Sequence, residues 1–274
     1  MKKLGIMLLV ATMFPVVADA DIMYTRLEDA DLGHTYGWYS HFFENSSGPA
    51  GYKQAIKNVK GSDDVAAAKI PSTGALNERS LEFLNDSALV THSNSIAGGD
   101  FSLNELDNEF TVEIVVKPTR GSTFGLYKGP GGDREGQNFH LYPKDGDNDW
   151  NAYFRDEDGV KYEFPDPGNN TYLVDQWQAV AVVSNGKTAK LYVDHLEGAG
   201  YQLVSKLSTS AMSGFSGLAD DGVWKHDNPG WFLDEQRMSD VAVAPSNFIM
   251  APEPSTMMLL LSTGFVFLLR RKSA

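Results

Sequence analysis

The feature that most restricts the fold is a succession of strand-like segments from residue 80 to residue 238, separated by turn-forming residues. The clearest pair lies in residues 177–194, where two apolar, β-branched runs flank Asn185-Gly186. Because an Asn-Gly pair readily takes the positive φ angles of a type I′ turn, we expect a tight hairpin here. Its first run is apolar on both faces, which is typical of a central strand.

Other segments of this region have the same character. Residues 80–84 alternate apolar and polar side chains, and residues 110–118 are rich in β-branched residues and end at a proline, which cannot donate to a sheet ladder. Residues 150–164 predict a second hairpin with Asp158-Gly159 at its turn, and residues 231–238 predict a closing strand. Neither a long amphipathic helix nor a repeat of fixed period interrupts this order, so the sequence predicts an all-β fold.

The order of these segments resembles a known family. Residues 80–83, 110–118, 177–194 and 232–238 are similar to successive strands of laminin-G-like, concanavalin A-like domains. The resemblance covers residues 80–248 and implies an antiparallel two-sheet jelly-roll sandwich. It also implies extracellular recognition, often of carbohydrate and sometimes with calcium, although a fold alone does not fix a function. His195 stands where the family usually turns through Gly, so the conformation of that turn stays open.

The part of the chain before this region, residues 21–79, gives a weaker pattern. Residues 34–43 are dense in aromatic side chains and predict a first strand of the sandwich. Residues 45–51 then contain turn formers that interrupt it. Residues 53–68 fit either a short helix or a surface excursion.

The N-terminus has the three parts of a secretory signal peptide. Lys2 and Lys3 precede an apolar run over residues 4–17, and Ala18-Asp19-Ala20 has the small-x-small form of a cleavage site. We therefore expect residues 1–20 to be removed after Ala20. The alternative is that the same apolar run is retained as an N-terminal anchor.

The C-terminus carries a second segment of this kind, over residues 252–274. Pro252-Glu253-Pro254 precedes an uncharged apolar run over residues 256–269, and Arg270, Arg271 and a lysine follow. As a helix the run is roughly 21 Å long, which is shorter than the ~30 Å bilayer core. The basic cluster favours a transmembrane segment, because such side chains reach the headgroups and stay on the cytoplasmic side. The alternative is a buried C-terminal helix, although such a helix would have a polar face.

This order of parts resembles the PEP-CTERM sorting signal of Gram-negative bacteria. The resemblance implies export, transient anchoring in the inner membrane through residues 256–269, and processing by an exosortase near residues 252–254. It implies release to the cell surface or to an exopolysaccharide matrix. The export machinery and an exosortase are therefore the expected partners, and polysaccharide is the expected ligand.

Charge and cysteine content exclude several classes of function. The chain carries a formal charge of −13; residues 1–20 contribute +1 and residues 252–274 contribute +2, which leaves −16 on residues 21–251. A surface this acidic repels nucleic acid, so we expect no nucleic-acid partner. The chain has no cysteine, which excludes disulfides, a thiol nucleophile and thiolate zinc sites.

Glu105, Asp107 and Glu109 form the candidate catalytic site. In a strand these carboxylates would share one face, and paired carboxylates cleave glycosides as acid and nucleophile. The segment resembles the catalytic strand of a glucanase family with the same fold, but Asn108 stands where an apolar residue is expected. The preferred interpretation is a solvated loop before Phe110 and a binding protein. A secreted glycoside hydrolase is the alternative.

Asp145, Asp147 and Asp149 form the candidate metal site. Three carboxylates at alternate positions are typical of an oxygen-rich calcium loop, and Asp133 and Asp156 are candidate supplements. Trp150 stands where an EF-hand loop has glycine, and no flanking helices are predicted, so an EF-hand is excluded. The alternative is an acidic hairpin tip without a metal.

Trp224, His226, Asn228 and Trp231 form the candidate carbohydrate-binding site. Two large aromatic rings flank a polar loop, and a sugar can pack its C–H face on such rings while polar side chains bind its hydroxyls. The alternative is that both tryptophans belong to the core or cover its edge.

Overall fold

The structure is a computed structural model that describes residues 21–28, 32, 35–36, 42–44, 53–92, 109–118, 125–127, 139–144, 148–156, 158–168, 170–211, 222–226 and 231–251. Its strands are β1 (Asp21–Arg26), β2 (Thr35–Tyr36), β3 (Phe42–Glu44), β4 (Lys53–Ser62), β5 (Ser80–His92), β6 (Glu109–Lys117), β7 (Gly125–Tyr127), β8 (Phe139–Lys144), β9 (Asp149–Arg155), β10 (Lys161–Glu163), β11 (Gln178–Asn185), β12 (Thr188–Asp194), β13 (Gln202–Ser208), β14 (Gly222–His226) and β15 (Trp231–Ser239). A short 3₁₀ helix spans Pro245–Asn247. Within this described part of the chain, no helix is long and apolar enough to cross a membrane.

The strands form a large sheet and a small sheet, and the strands within each pair antiparallel. The large sheet has the order β13-β12-β11-β6-β15-β5-β14-β7, with β1 beside β15, β4 beside β5, and β2 and β3 beside β4. The small sheet has the order β10-β9-β8. The predicted all-β fold with two antiparallel sheets is therefore confirmed.

The core lies between the central strands of the large sheet and the small sheet. Phe110 of β6 meets Phe139 of β8 and Phe154 of β9 edge to face, with ring centroids 6.3 and 6.0 Å apart. Alternate residues of β6, β11 and β12 point into this core, as the period of a strand requires. The small sheet therefore packs its inner face against the large sheet, as in a two-layer sandwich.

The outer face of the large sheet is also covered, which explains why β6 and β11 are apolar on both faces. The C-terminal segment, residues 241–251, packs Phe248 and Ala251 against Ala181, Val183 and Tyr192. Ile249 and Met250 of that segment, together with Ile70, pack against Val115 and Ala179 and bury them. The prediction that residues 178–185 form a central strand is confirmed, because β11 lies between β12 and β6.

The hairpin turns follow the sequence in one case and differ in the other. Gly159 has a φ of +78° at the turn between β9 and β10, as predicted. Between β11 and β12 only Gly186 takes a positive φ, of +76°, so the predicted type I′ turn at Asn185-Gly186 is wrong. Asn185 instead holds the turn through its side chain, because its Oδ1 accepts the backbone N–H groups of Lys187 and Thr188 at 3.2 and 2.9 Å.

The turn after β12, which the sequence left open at His195, is built on a left-handed residue. Leu196 has a φ of +60°, an uncommon value for a residue other than glycine. Its N–H donates to Asp194 Oδ1 at 2.8 Å, so a side-chain hydrogen bond compensates for the missing glycine.

The structure differs from the expected first strand and describes residues 53–62, whose conformation the sequence left open. The first strand is β1, which pairs with β15, whereas the described residues of the aromatic stretch belong to the short strands β2 and β3. Residues 53–62 form β4 rather than a helix, and β4 pairs with β5. The register of β4 shifts at Asn58, which has a φ of +49°, and such a bulge disrupts the alternation that would reveal a strand.

Candidate functional site

The outer face of the small sheet carries a row of polar and aromatic side chains. Phe139, Leu141, Trp150 and Phe154 point into the core, so the residues between them point outward. The register places His140 opposite Tyr153, and Tyr153 opposite Glu163. Arg155 and Lys161 form the next pair along the same face. We call this set, with Tyr142, the small-sheet face.

The aromatic rings of this face contact one another. His140 stacks on Tyr142 with centroids 4.6 Å apart, and Tyr153 meets His140 edge to face at 5.2 Å. His140 and Tyr153 are each 9% exposed, whereas Tyr142 is half-buried. Tyr142 is therefore the most accessible ring of the cluster.

Charged groups fix the orientation of these rings. The Tyr142 hydroxyl donates to Glu163 Oε1 at 2.8 Å, and Lys161 Nζ lies 2.7 Å from Glu163 Oε2. The Lys161 ammonium also lies 4.2 Å from the centroid of the Tyr153 ring, a favourable cation–π distance. Burial and the neighbouring Glu163 carboxylate both raise the pKa of Tyr142, so its hydroxyl remains a donor at neutral pH.

The small-sheet face has the chemistry that sugar binding requires. A half-buried ring can pack against the C–H face of a pyranose, and cationic and anionic side chains beside it can bind hydroxyls. The side chains of Lys161 and Glu163 are 38% and 43% exposed, so both can reach a ligand without unfolding. No sequence motif marks this face, because its residues come from three strands and meet only through the register.

Of the candidate catalytic residues, the structure describes Glu109, while Glu105 and Asp107 lie outside the described residues. Glu109 is exposed and begins β6 opposite Asn185. Since Phe110 and Val112 point into the core, Glu109 belongs to the outer side of the large sheet. It therefore lies on the opposite layer from the small-sheet face.

Of the candidate calcium ligands, the structure describes Asp149 and Asp156, while Asp133, Asp145 and Asp147 lie outside the described residues. Asp149 is buried, and its Oδ1 accepts the backbone N–H of Thr171 at 2.9 Å. Asp156 caps the hairpin after β9 by accepting the N–H of Val160 at 2.8 Å. Among the residues that the structure describes, no three His, Cys, Asp or Glu side chains are grouped as metal ligands. Calcium binding near Asp149 stays a prediction.

Of the four predicted carbohydrate-binding residues, the structure describes the side chain of Trp231 only. Trp231 is fully buried, with its ring 6.1 Å from that of Trp150 and edge-on to it. An enclosed ring cannot stack on a sugar, so Trp231 belongs to the core, which was the alternative reading. The backbone of β14 places Trp224 between β5 and β7, and it places His226 opposite Ser87 of β5. Asn228 lies outside the described residues.

A cavity of about 110 Å³ lies beside the turn that follows β12. Thr171, Asp194, His195 and Gln202 contribute to its walls. Burial raises the pKa of Asp194. Typical ligand pockets measure roughly 300–1,000 Å³, so this cavity is too small to hold a sugar ring.

Two buried carboxyl groups lie on β15 and hold neighbouring segments. Asp234 Oδ2 accepts the N–H of Ala66 at 2.7 Å and an amide N–H of Asn77 at 2.8 Å. Burial raises the pKa of Asp234 to about 7, and burial together with Asp234 raises that of Glu235 to about 8. Both side chains are fully enclosed, so these perturbed groups serve the fold rather than a cleft.

Comparison with known proteins identifies two regions. A model of the concanavalin A-like lectin/glucanases superfamily matches residues 90–245, and a model of the PEP-CTERM protein-sorting motif matches residues 251–272. The earlier resemblances to these two families are therefore confirmed. The predicted signal peptide and most of the sorting segment lie outside the described residues. A search of curated proteins found no match.

Several solved structures share the fold. The binding domain of botulinum neurotoxin serotype D is 12% identical, with a TM-score of 0.51 over 84% of this chain and 50% of that one. The ligand binding domain of the same serotype, solved with N-acetylneuraminic acid, is 11% identical, with a TM-score of 0.51 over 84% and 49%. Domain 4 of AbnA, a GH43 extracellular arabinanase from Geobacillus stearothermophilus solved with arabinotriose, is 12% identical, with a TM-score of 0.50 over 84% and 97%. The chain spans about half the length of the neurotoxin domains, and at these identities the likeness shows the fold alone.

Proposed function

Because the chain belongs to the concanavalin A-like lectin/glucanases superfamily, we propose that it is an exported carbohydrate-binding protein that contacts sugar through the small-sheet face. The observation that carries this proposal is the accessible Tyr142 ring, flanked by the charged side chains of Lys161 and Glu163. The solved structures with N-acetylneuraminic acid and with arabinotriose support the ligand class, since those relatives of the fold bind sugars.

The sorting motif supports export and membrane-associated sorting. In this proposal residues 256–269 anchor the chain transiently in the inner membrane, and an exosortase cleaves near residues 252–254. The released protein then resides at the cell surface or in an exopolysaccharide matrix, where it binds polysaccharide. Its charge of −16 over residues 21–251 favours a neutral polysaccharide over a polyanionic one.

The test is a glycan array with residues 21–251, in calcium and in chelator, followed by variants of the small-sheet face. Tyr142→Ala removes the ring, whereas Tyr142→Phe keeps the ring and removes only the hydrogen bond to Glu163. A stacked ring contributes on the order of 1 kcal/mol, so we expect roughly five-fold weaker binding for Tyr142→Ala and a smaller loss for Tyr142→Phe.

A matched control separates this face from the rest of the surface. Lys161→Ala removes a lysine from the small-sheet face, and Lys190→Ala removes one from the outer face of the large sheet. Only Lys161→Ala should weaken sugar binding. Binding that none of the small-sheet variants changes would move the site elsewhere, and an array without any bound glycan would contradict the proposed function.

A further inference from the structure

The C-terminal segment ends against the outer face of the large sheet, directly before the sorting motif. Ala251 is 5% exposed and packs with Ala181, Val183 and Tyr192 on that face. The sorting-motif match begins at residue 251, so the folded domain and the sorting signal have no spacer between them.

Hydrogen bonds hold this segment in place. The Thr111 hydroxyl donates to the carbonyl of Val241 at 2.7 Å and accepts the N–H of Val243 at 2.9 Å. Glu113 Oε1 accepts the N–H of Ile249 at 2.9 Å. The point at which the sorting segment leaves the domain is therefore fixed on one face.

The distance to the membrane follows from the sequence. Four residues, Pro252 to Ser255, separate Ala251 from the apolar run that begins at Thr256. Fully extended, four residues span roughly 14 Å at most. In an anchored chain Ala251, on the outer face of the large sheet, would thus lie within roughly 14 Å of the hydrocarbon core, or about two to three headgroup layers, since the headgroup and interfacial region adds roughly 5–7 Å on each side of that core.

The same face carries a local concentration of positive charge. Lys190 of β12 lies directly opposite Lys206 of β13, and they share the outward side with Tyr192. Like charges at opposed positions of a sheet are unfavourable. Within the described residues neither lysine forms an ion pair, although the whole chain is acidic. The nearby Leu203, opposite Tyr192, leaves 51% of its surface exposed.

We infer that the outer face around Lys190, Lys206 and Leu203, which we call the tail-side face, is a lipid-contact surface of the anchored protein. Anionic headgroups neutralise the two lysines, and Leu203 lies at the interface. Two exposed carboxylates, Glu109 at the start of β6 and Asp240 directly after β15, oppose this attraction, so the sorting segment supplies the main attachment. The small-sheet face, on the other layer, then points away from the membrane.

The inference rests on the membrane-anchoring part of the proposed function and not on sugar binding. Because the chain has no cysteine, single cysteines can be placed at will. Leu203→Cys and Val160→Cys form a matched pair, since both side chains are 51% exposed and lie on opposite layers. Each variant of the full chain is labelled with an environment-sensitive dye and reconstituted into vesicles of phosphatidylethanolamine and phosphatidylglycerol that contain a headgroup-attached quencher.

We expect the vesicles to float with bound protein, the dye at position 203 to be quenched several-fold more than the dye at position 160, and the difference to fall in phosphatidylcholine vesicles. A chain that does not float overturns the anchoring and the inference together. A chain that floats with equal quenching at both positions overturns the inference alone.

A second set of variants tests the lysines themselves. A long Gly-Ser spacer inserted after Ala251 removes the short tether, so that only the surface charges hold the tail-side face down. Each lysine near an anionic membrane strengthens attachment roughly five-fold, so Lys190→Glu with Lys206→Glu should reduce the face-down population by more than ten-fold in this background. Unchanged quenching at position 203 after both reversals would overturn the lipid-contact role.

Discussion

The buried ion pair between Glu113 and Arg237 offers the sharpest test of how the C-terminal segment is held. Arg237 Nε donates to Glu113 Oε2 at 2.5 Å, and Arg237 Nη2 donates to the carbonyl of Asn247 at 2.7 Å. Glu113 is 1% exposed and Arg237 is 8% exposed. Glu113→Gln leaves a buried guanidinium without its counter-charge, a change that costs about 3–5 kcal/mol.

The assay is equilibrium unfolding of residues 21–251 in urea, with tryptophan fluorescence as the signal that monitors unfolding. With an m-value of about 2–3 kcal/mol per M, this loss lowers the unfolding midpoint by roughly 1–2 M. Glu109→Gln is the matched control, because it removes the same charge from the same strand at an exposed position. Its midpoint should stay close to that of the parent chain.

The double variant Glu113→Gln with Arg237→Gln separates the charge effect from lost packing. It removes both buried charges, so its loss of stability should be smaller than the sum of the two single losses. A single Glu113→Gln variant that loses less than about 1 kcal/mol, which is the value of an ordinary hydrogen bond, would refute the reasoning. So would strictly additive losses in the double variant.

Three further predictions concern acidity, calcium and processing. Burial raises the folded-state pKa of Asp234 to about 7 and of Glu235 to about 8, from ordinary values of 3.8 and 4.5. Their stabilising contribution is therefore complete below about pH 4 and is lost as the pH rises through 7 to 8; Glu235→Gln should flatten the stability profile measured between pH 5 and pH 9. Calcium at ten times its dissociation constant should stabilise the protein by about 1.4 kcal/mol, and Asp147→Asn should abolish the increase in Tm; equal Tm values in calcium and chelator would rule the site out. Mass spectrometry of the mature extracellular protein should show no peptide beyond about residue 255, and recovery of residues 270–274 would contradict processing.

The strands that the sequence predicted are those whose pattern matches their surroundings. Residues 178–185 are apolar on both faces because β11 is covered by the small sheet on one side and by the C-terminal segment on the other. Strand β4 was not predicted because lysines interrupt the alternation of apolar and polar residues in its sequence, and because its register shifts at Asn58. The turn at Asn185 was placed correctly, but only Gly186 takes a positive φ there, and Asn185 stabilises the turn through side-chain hydrogen bonds.

The candidate site was less accessible to sequence reasoning. Trp231 stood out as a large aromatic residue beside a polar loop. In the structure the same ring is buried in the core, where it packs edge-on against Trp150. Tyr142, Tyr153 and Glu163 did not stand out, since each is an ordinary outward residue of its own strand. Only the pairing of β8, β9 and β10 brings them together, and strand register depends on contacts remote in sequence.

The pairing of β1 with β15 has a consequence for when the domain can fold. Asp21 lies opposite Ser239, so the large sheet joins the first and last strands of the described chain. A chain that crosses a membrane from its N-terminus presents β1 long before its partner emerges, and such non-local contacts form late. The sheet therefore stays incomplete until nearly all of residues 21–251 have been translocated. The chain thus remains unfolded enough to cross the membrane, but until β15 emerges the unpaired edge of β1 can pair with an incorrect strand.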